Sequence, residues 1–391
     1  SSCIFKARGK VCKINSIKRM GYRKIKAARI FTGKEFAPDG SVLVTLENGQ
    51  IEAIVQETVA GEGIETVSGI LSPGFINAHC HLELSHMAGI IPRGTGMVDF
   101  LLAVMQQRNT GQEKIQAAIE NAESFMLNNG IVAVGDICNT TNTLRRKLDK
   151  KLTYVNFIEC SGFVPATARG RYAAAEQVLD QLAAAGTSSI VPHAPYSVSG
   201  DLYALIMQGA TGRVITMHNQ ESQAENEFFL TGQGPFQRLF KAIGVDISFF
   251  KAPQKTSLQA VWPSLASAGK LILVHNTVTS QEDLDAIQQS SKRNNPGQEI
   301  YFCLCPNANT YIGNQLPPVP LFLRNQCHIV LGTDSLSSNN QLSILEEIRT
   351  LLLAFPEIGF EAALSWATIN GAEALGISEV FGSFKKRKKP G

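Results

Sequence analysis

Residues 79–81 read His-Cys-His. Alternate residues of an extended strand face one side, so His79 and His81 can both point at one cation while Cys80 faces away. A third imidazole and a carboxylate would complete the site and leave room for water, and His218 and Asp334 are the candidates. Imidazole and carboxylate together suit zinc, iron and related ions. Glu221, three residues after His218, is a carboxylate able to carry protons beside a metal-activated water. Each of these residues also has a structural use. Glu221 could cap a helix start, Asp334 could form a turn beside Gly332, and His275 could satisfy buried carbonyls. Their shared position favours chemistry: His79 and His81, His193, His218, His275 and Asp334 each close an apolar run.

Eight such runs follow one another: GFINAHCHLE, IVAVGDIC, LTYVNFIEC, SSIVPHAPY, RVITMHNQE, LILVHNTV, EIYFCLCPN and CHIVLGTDS. Between them lie segments such as QEKIQAAIENAESFMLNN, AAAEQVLDQLAAA, SLQAVWPSLASAG and SQEDLDAIQQSSK, with apolar residues at helical spacing. Ser280 with Asp283 marks a helix start, and Gly269 marks a stop. Repeated strand-helix units with nearly continuous apolar strands predict an α/β fold, a (β/α)₈ TIM barrel, with a doubly wound sheet as the alternative built from the same units. Active sites of such barrels lie at the C-terminal strand ends, where the polar residues fall. Ahead of the barrel, KAARIFTGK and GSVLVTLENGQIEAIVQE alternate as short strands. The expected division is residues 1–70 for a basic segment and a small β unit, 71–376 for the barrel, and 377–391 for a segment returning toward the β unit.

The chain has 391 residues, 44% hydrophobic and 18% charged, enough for one large core and a small appended domain. Its net charge is +3, with basic residues gathered at Lys6, Arg8, Lys10, Lys13, Lys18, Arg19, Arg23, Lys24 and Lys26 and in KKRKK at 385–389. These read as solvent-facing ends, and no basic-aromatic surface pattern calls for nucleic acid. No apolar run of about 18 residues exists and no secretory leader is apparent, so a soluble cytoplasmic protein without membrane contact is expected. The cysteines follow no zinc-finger or disulfide spacing, which fits a reduced setting. Cys303-Leu304-Cys305-Pro306 also lacks the P-C-x-x-C pattern of the cytidine deaminase class.

Taken together, PGFINAHCHLE, HAPYSVS, HNQE, VHN and LGTDSLSSN resemble the amidohydrolase superfamily, in particular its deaminase and chlorohydrolase branch. The resemblance runs from about Ile30 to Gly382. It implies a (β/α)₈ barrel with a small β-sandwich formed from both chain ends, and one divalent metal ion, zinc before iron, held by His79, His81, His218 and Asp334. It further implies that Glu221 shuttles protons, that His275 orients or polarises the attacking water or substrate, and that His193 and Glu83 touch a small-molecule substrate. Arg93, in the loop after the first strand, is placed to reach an anionic or carbonyl group of that substrate. The implied activity is hydrolytic deamination of an amino-substituted heterocycle or nucleoside, with hydrolysis of another C–N or C–Cl bond as the alternative. A relative that kept the barrel only for assembly would be expected to lose metal ligands, and none is lost here. No lysine closes the third or fourth run to bridge a second metal, although Glu159 could do so. A homodimer is compatible with the resemblance. Two departures stand out: HNQE replaces the more usual HxAE, and the chain ends on GSFKKRKKPG where relatives continue into further sandwich strands.

Overall fold

The computed structural model describes residues 21–391, so the basic residues within 6–19, with Cys3 and Cys12, lie outside the described part. The first described unit is antiparallel at heart. β1 (Tyr22–Lys26) pairs antiparallel with β3 (Ser41–Leu46), which pairs antiparallel with β4 (Ile51–Gln56). The β3–β4 turn falls at Asn48-Gly49, where Gly49 takes φ 81°, a conformation that costs glycine little. β5 (Ile64–Thr66) adds parallel to β1, while β2 (Arg29–Ile30) and β6 (Ile70–Leu71) form a separate parallel pair.

The far end of the chain returns to this unit. Arg387 N donates to Ile51 O and Ile51 N to Lys388 O, at 2.8 and 2.9 Å. Phe384 packs into a small core with Ile30, Leu43 and Ile51. Lys385, Lys386, Arg387 and Lys389 stay exposed, with Lys386 paired to Glu52.

The remaining strands are all parallel. β7 (Phe75–Cys80), β8 (Ile131–Cys138), β9 (Thr153–Cys160) and β10 (Thr187–Pro192) form one sheet in sequence order. β11 (Val214–Asn219), β12 (Lys270–His275), β13 (Glu299–Leu304) and β14 (His328–Leu331) form the second. Hydrogen bonds cross both seams: His218 N donates to His193 O at 2.9 Å, and Thr333 N and Asp334 N donate to His79 O at 3.0 and 3.1 Å.

Helices separate the strands as the periodicity predicts. Gln112–Asn128 buries Ile115, Ile119, Ala122 and Met126, one stripe at helical spacing. Ser280 and Asp283 form a reciprocal capping box on Gln281–Asn294. The helix before it stops at Leu265, four residues ahead of the stop expected at Gly269, and Pro263 lies in its last turn. Among the described residues, no helix is long and apolar enough to cross a membrane.

Candidate active site

The polar strand ends converge, and local backbone conformation aims them. His275 has φ 75°, Asn276 59° and Asp334 56°, values that side-chain-bearing residues rarely adopt. Such conformations persist only where surrounding structure holds them, and here they sit where β12 and β14 turn toward the other strand ends. Asn276 is held by Asn219 and by Leu273 O. Gly332 is also required: a Cβ there would lie 2.7 Å from His79 Cβ.

His79, His81 and His218 offer nitrogens that lie within 4.8 Å of one another. His81 Nε2 is 3.1 Å from His218 Nε2 and 3.3 Å from Asp334 Oδ1, and His79 Nε2 is 3.6 Å from the same oxygen. Neither ring nitrogen of the buried His79 has a protein partner. Such an unpaired group is costly unless something positive fills the space. The second atoms of His218 and Asp334 are already engaged. His218 Nδ1 lies 2.9 Å from His193 O, and a carbonyl only accepts, so the proton sits on Nδ1 and Nε2 presents its lone pair. Asp334 Oδ2 accepts from Ser338 Oγ at 2.6 Å, leaving Oδ1 to the cluster. Burial pushes His81 down to about 3, so its imidazole is neutral at ordinary pH, as ligation requires. The donor set of three imidazoles and one carboxylate fits one divalent ion.

Glu221 occupies the facing side. Its Oε1 lies 3.5 Å from His275 Nε2. Glu225 fixes its backbone by accepting from Gln220 N and Glu221 N, while Thr277 Oγ1 donates to Glu221 O. Burial, then the negative charges of Asp334 and Glu225, hold its carboxyl well above the usual carboxylate range. Asn309 Nδ2 donates to His275 Nδ1 at 2.9 Å. The His275 proton therefore sits on Nε2, which points toward Glu221.

A cavity of about 450 Å³ opens over these groups, lined by His81, His193, His218, Glu221, His275 and Asp334. Its outer wall is apolar, with Phe100, Leu101 and Val104 of the helix Met97–Gln107 facing Phe163 and Phe240. His193 lines it with Nδ1 2.6 Å from Ser197 Oγ, which donates to Ala194 O, so Nε2 is left as an acceptor. Glu83 also lines it, but its carboxylate already accepts from Arg108, Asn139 N, Thr140 N and Thr140 Oγ1. Arg93 does not join them. It is exposed, with its guanidinium 5.1 Å from the Tyr311 ring, because the loop carries it outward before the helix begins. Arg108, at the other end of the same segment, lines the cavity instead, and Arg171 is a second cavity arginine.

Glu159 lies beside the cluster, its Oε1 3.3 Å from His218 Nδ1 and its Oε2 held by Asn139. Beneath the His-Cys-His turn is a buried ion pair that the charge pattern did not single out. Asp136 Oδ1 accepts from Leu82 N, the residue after His81, and Oδ2 lies 2.5 Å from Lys147 Nζ. Lys147 also donates to Asn156 Oδ1 and Cys138 Sγ, so all its N–H groups are used.

Residues 70–390 match the family model described as the amidohydrolase family. An adenosine deaminase of Helicobacter pylori is 27% identical over 318 residues, spanning 80% of this chain and 75% of the relative. An aminodeoxyfutalosine deaminase of Nitratiruptor sp. is 26% identical over 296 residues, 74% and 69% of the two chains. Among solved structures, Helicobacter pylori aminofutalosine deaminase in complex with methylthio-coformycin superimposes with TM-score 0.78 at 23% identity, covering 94% of this chain and 90% of that one. An adenosine deaminase from Xanthomonas campestris with bound zinc gives 0.67 at 20% identity, covering 94% and 82%. These likenesses establish the fold.

Proposed function

The chain belongs to the amidohydrolase family, and from that premise we propose that it is a zinc hydrolase that deaminates an amino-substituted heterocycle, foremost an adenosine-like nucleoside. The observation that carries this reading is the pairing of a buried Glu221 with His275 at one cavity, opposite His81, His218 and Asp334 with His79 buried behind them. The names of the relatives support the substrate class. In this reading β7–β14 are one closed (β/α)₈ barrel, and β1–β6 with the returning C-terminal segment are the β-sandwich.

When bound, the cation supplies Lewis acidity that lowers the pKa of a water toward neutrality. Asp334 would help hold the cation through Oδ1 and would be the carboxylate that takes the proton of the attacking water, its Oδ2 being fixed by Ser338. His275, fixed as the Nε2–H form by Asn309, orients by donating a hydrogen bond rather than acting as base. Glu221 protonates the ring nitrogen beside the reacting carbon. The oxygen of the attacking water adds to that carbon, the proton taken by Asp334 passes to the amino group, and the C–N bond breaks with its electron pair on nitrogen, releasing ammonia. The aromatic wall of Phe163 and Phe240 gives a flat heterocycle an apolar surface and excludes water. His193 Nε2 accepts from a substrate donor, and Glu83 holds Arg108 in place at the rim.

Two measurements test the reading. Elemental analysis of protein purified without chelator should give about one zinc per chain for a four-ligand site, and His79→Ala should lose it. Metal-loaded wild type should release ammonia from at least one aminopurine nucleoside. A full amino-heterocycle panel without ammonia would overturn the deaminase assignment, and chloride release from a chlorinated triazine would replace it with C–Cl hydrolysis.

A further inference from the structure

The helix Ile344–Ala354, which follows the last strand, carries a carboxylate that the chemistry above does not use. Glu347 is wholly buried, and its partners are two N–H groups rather than a cation: Oε2 accepts from Asn307 N at 2.9 Å and Oε1 from Asn339 Nδ2 at 2.8 Å. Burial raises its carboxyl to about 8. A buried carboxylate without a cation beside it is costly to keep, so its position calls for a reason beyond packing.

The first partner anchors it. Asn307 N belongs to the opening turn of the helix Pro306–Gly313, whose first N–H groups have no acceptor within the helix. Thr350, one turn after Glu347, donates to Asn307 Oδ1 at 2.6 Å, so the two helices are tied twice. The anchoring helix is also the one that presents Asn309 to His275 Nδ1.

The second partner leads to Asp334. Asn339 Nδ2 has two hydrogens, and the one not given to Glu347 goes to Thr333 O at 2.9 Å. Asn339 Oδ1 accepts from Gln341 N, which fixes the way its amide faces. Thr333 O and Asp334 N belong to one peptide plane. That plane is therefore held on both edges, by Asn339 at its oxygen and by His79 O, 3.1 Å away, at its N–H. Its tilt sets φ of Asp334, which at 56° persists only while the surroundings hold it.

We propose that Glu347 is a positioning residue for Asp334: anchored on Asn307, it orients Asn339, which pins the Thr333–Asp334 peptide. The inference rests on the metal-hydrolase reading above. Glu347 touches neither substrate nor cation. Its effect is to set the metal-facing carboxylate against the helix that fixes His275, the two groups lying on opposite sides of the reacting centre.

The test compares the full-length wild type with Glu347→Gln and Asn339→Ala. Glutamine keeps the size but has one acceptor oxygen; with that oxygen on the main-chain Asn307 N, its own N–H groups face Asn339 Nδ2, and the hold on Asn339 is lost. Chelator competition should show zinc affinity weakened about 10–100-fold, the range for losing a partner that orients a metal ligand. The visible absorption bands of the cobalt-loaded variant should shift, and kcat should fall with KM for the nucleoside unchanged. Asn339→Ala should reproduce the weakened zinc binding and the cobalt shift, and adding Glu347→Gln to it should weaken zinc no further, because the path runs through Asn339. Wild-type zinc affinity and cobalt bands in folded Glu347→Gln, or additive losses in the double variant, would overturn the proposal. Should Glu347→Gln not fold, Asn339→Ala decides alone, and wild-type zinc affinity there overturns it. Failure of the underlying reading is distinguishable, since the wild type itself would then take up neither zinc nor cobalt stoichiometrically.

Discussion

Replacing Glu221 by glutamine is expected to lower kcat by about 10²–10⁴-fold, the range for loss of a positioned acid, while leaving metal content and fold intact. The direction follows from its surroundings. Burial and the negative charges of Asp334 and Glu225 raise its carboxyl well above the usual range, which favours the protonated, donating form. Glutamine keeps the size and a donor but has no transferable proton. Because the backbone of Glu221 is held by Glu225 and Thr277 through main-chain atoms, the substitution does not disturb its position. The pH profile separates this role from a structural one. Wild-type activity falls as pH rises through the elevated Glu221 value, since only the protonated form donates. The alkaline limb assigned to this group should vanish in Glu221→Gln, and equal metal content in both proteins checks that the ligand cluster is untouched. A variant within threefold of wild type would remove Glu221 from the chemistry, since about 1.36 kcal/mol of barrier already gives tenfold.

The strand-helix alternation was legible because parallel strands covered by helices are buried on both faces and the helices carry one apolar stripe, so both periodicities survive in the sequence. The polar residues closing those strands were legible for the same reason: a histidine ending a run of isoleucine and valine is conspicuous. The structure brings His81, His193, His218, Glu221, His275 and Asp334 to one cavity, with His79 buried against His81 and His218. What sequence conceals is the path of loops. Arg93 and Arg108 flank the same segment, and nothing in their spacing says that a helix of eleven residues, Met97–Gln107, turns the second toward Glu83 and leaves the first outside. Glu83 lines the cavity, but the partners that position its carboxylate, Arg108, Asn139 and Thr140, were not readable, being 25 to 57 residues away in the chain. Asn309 was equally hidden, because its role depends on Nδ1 of a histidine 34 residues earlier.

Lys147 carries the second large effect, and it lies in the strongly charged stretch LRRKLDKKL. Its neighbours Arg145 and Lys150 are exposed, but Lys147 is 1% exposed and its ammonium touches Asp136, whose side chain is wholly buried. Substituting Lys147→Met is expected to destabilise the protein by about 3–5 kcal/mol, because Asp136 is left as a buried charge without compensation. The loss should reach the site. Asp136 also accepts from Leu82 N, and its strand position lies opposite Cys80, so the same carboxylate anchors the turn that carries His79 and His81. Chemical denaturation of the metal-free protein would measure the first effect, and zinc titration the second. Removing both charges, Asp136→Asn with Lys147→Met, should recover most of the stability, since breaking such a pair costs more than deleting it. Asparagine retains an oxygen for Leu82 N, so zinc affinity should recover in parallel. Recovery of stability without recovery of zinc affinity would mean that the pair supports the fold alone, and that the His-Cys-His turn is set by its strand and by the Asp334 seam.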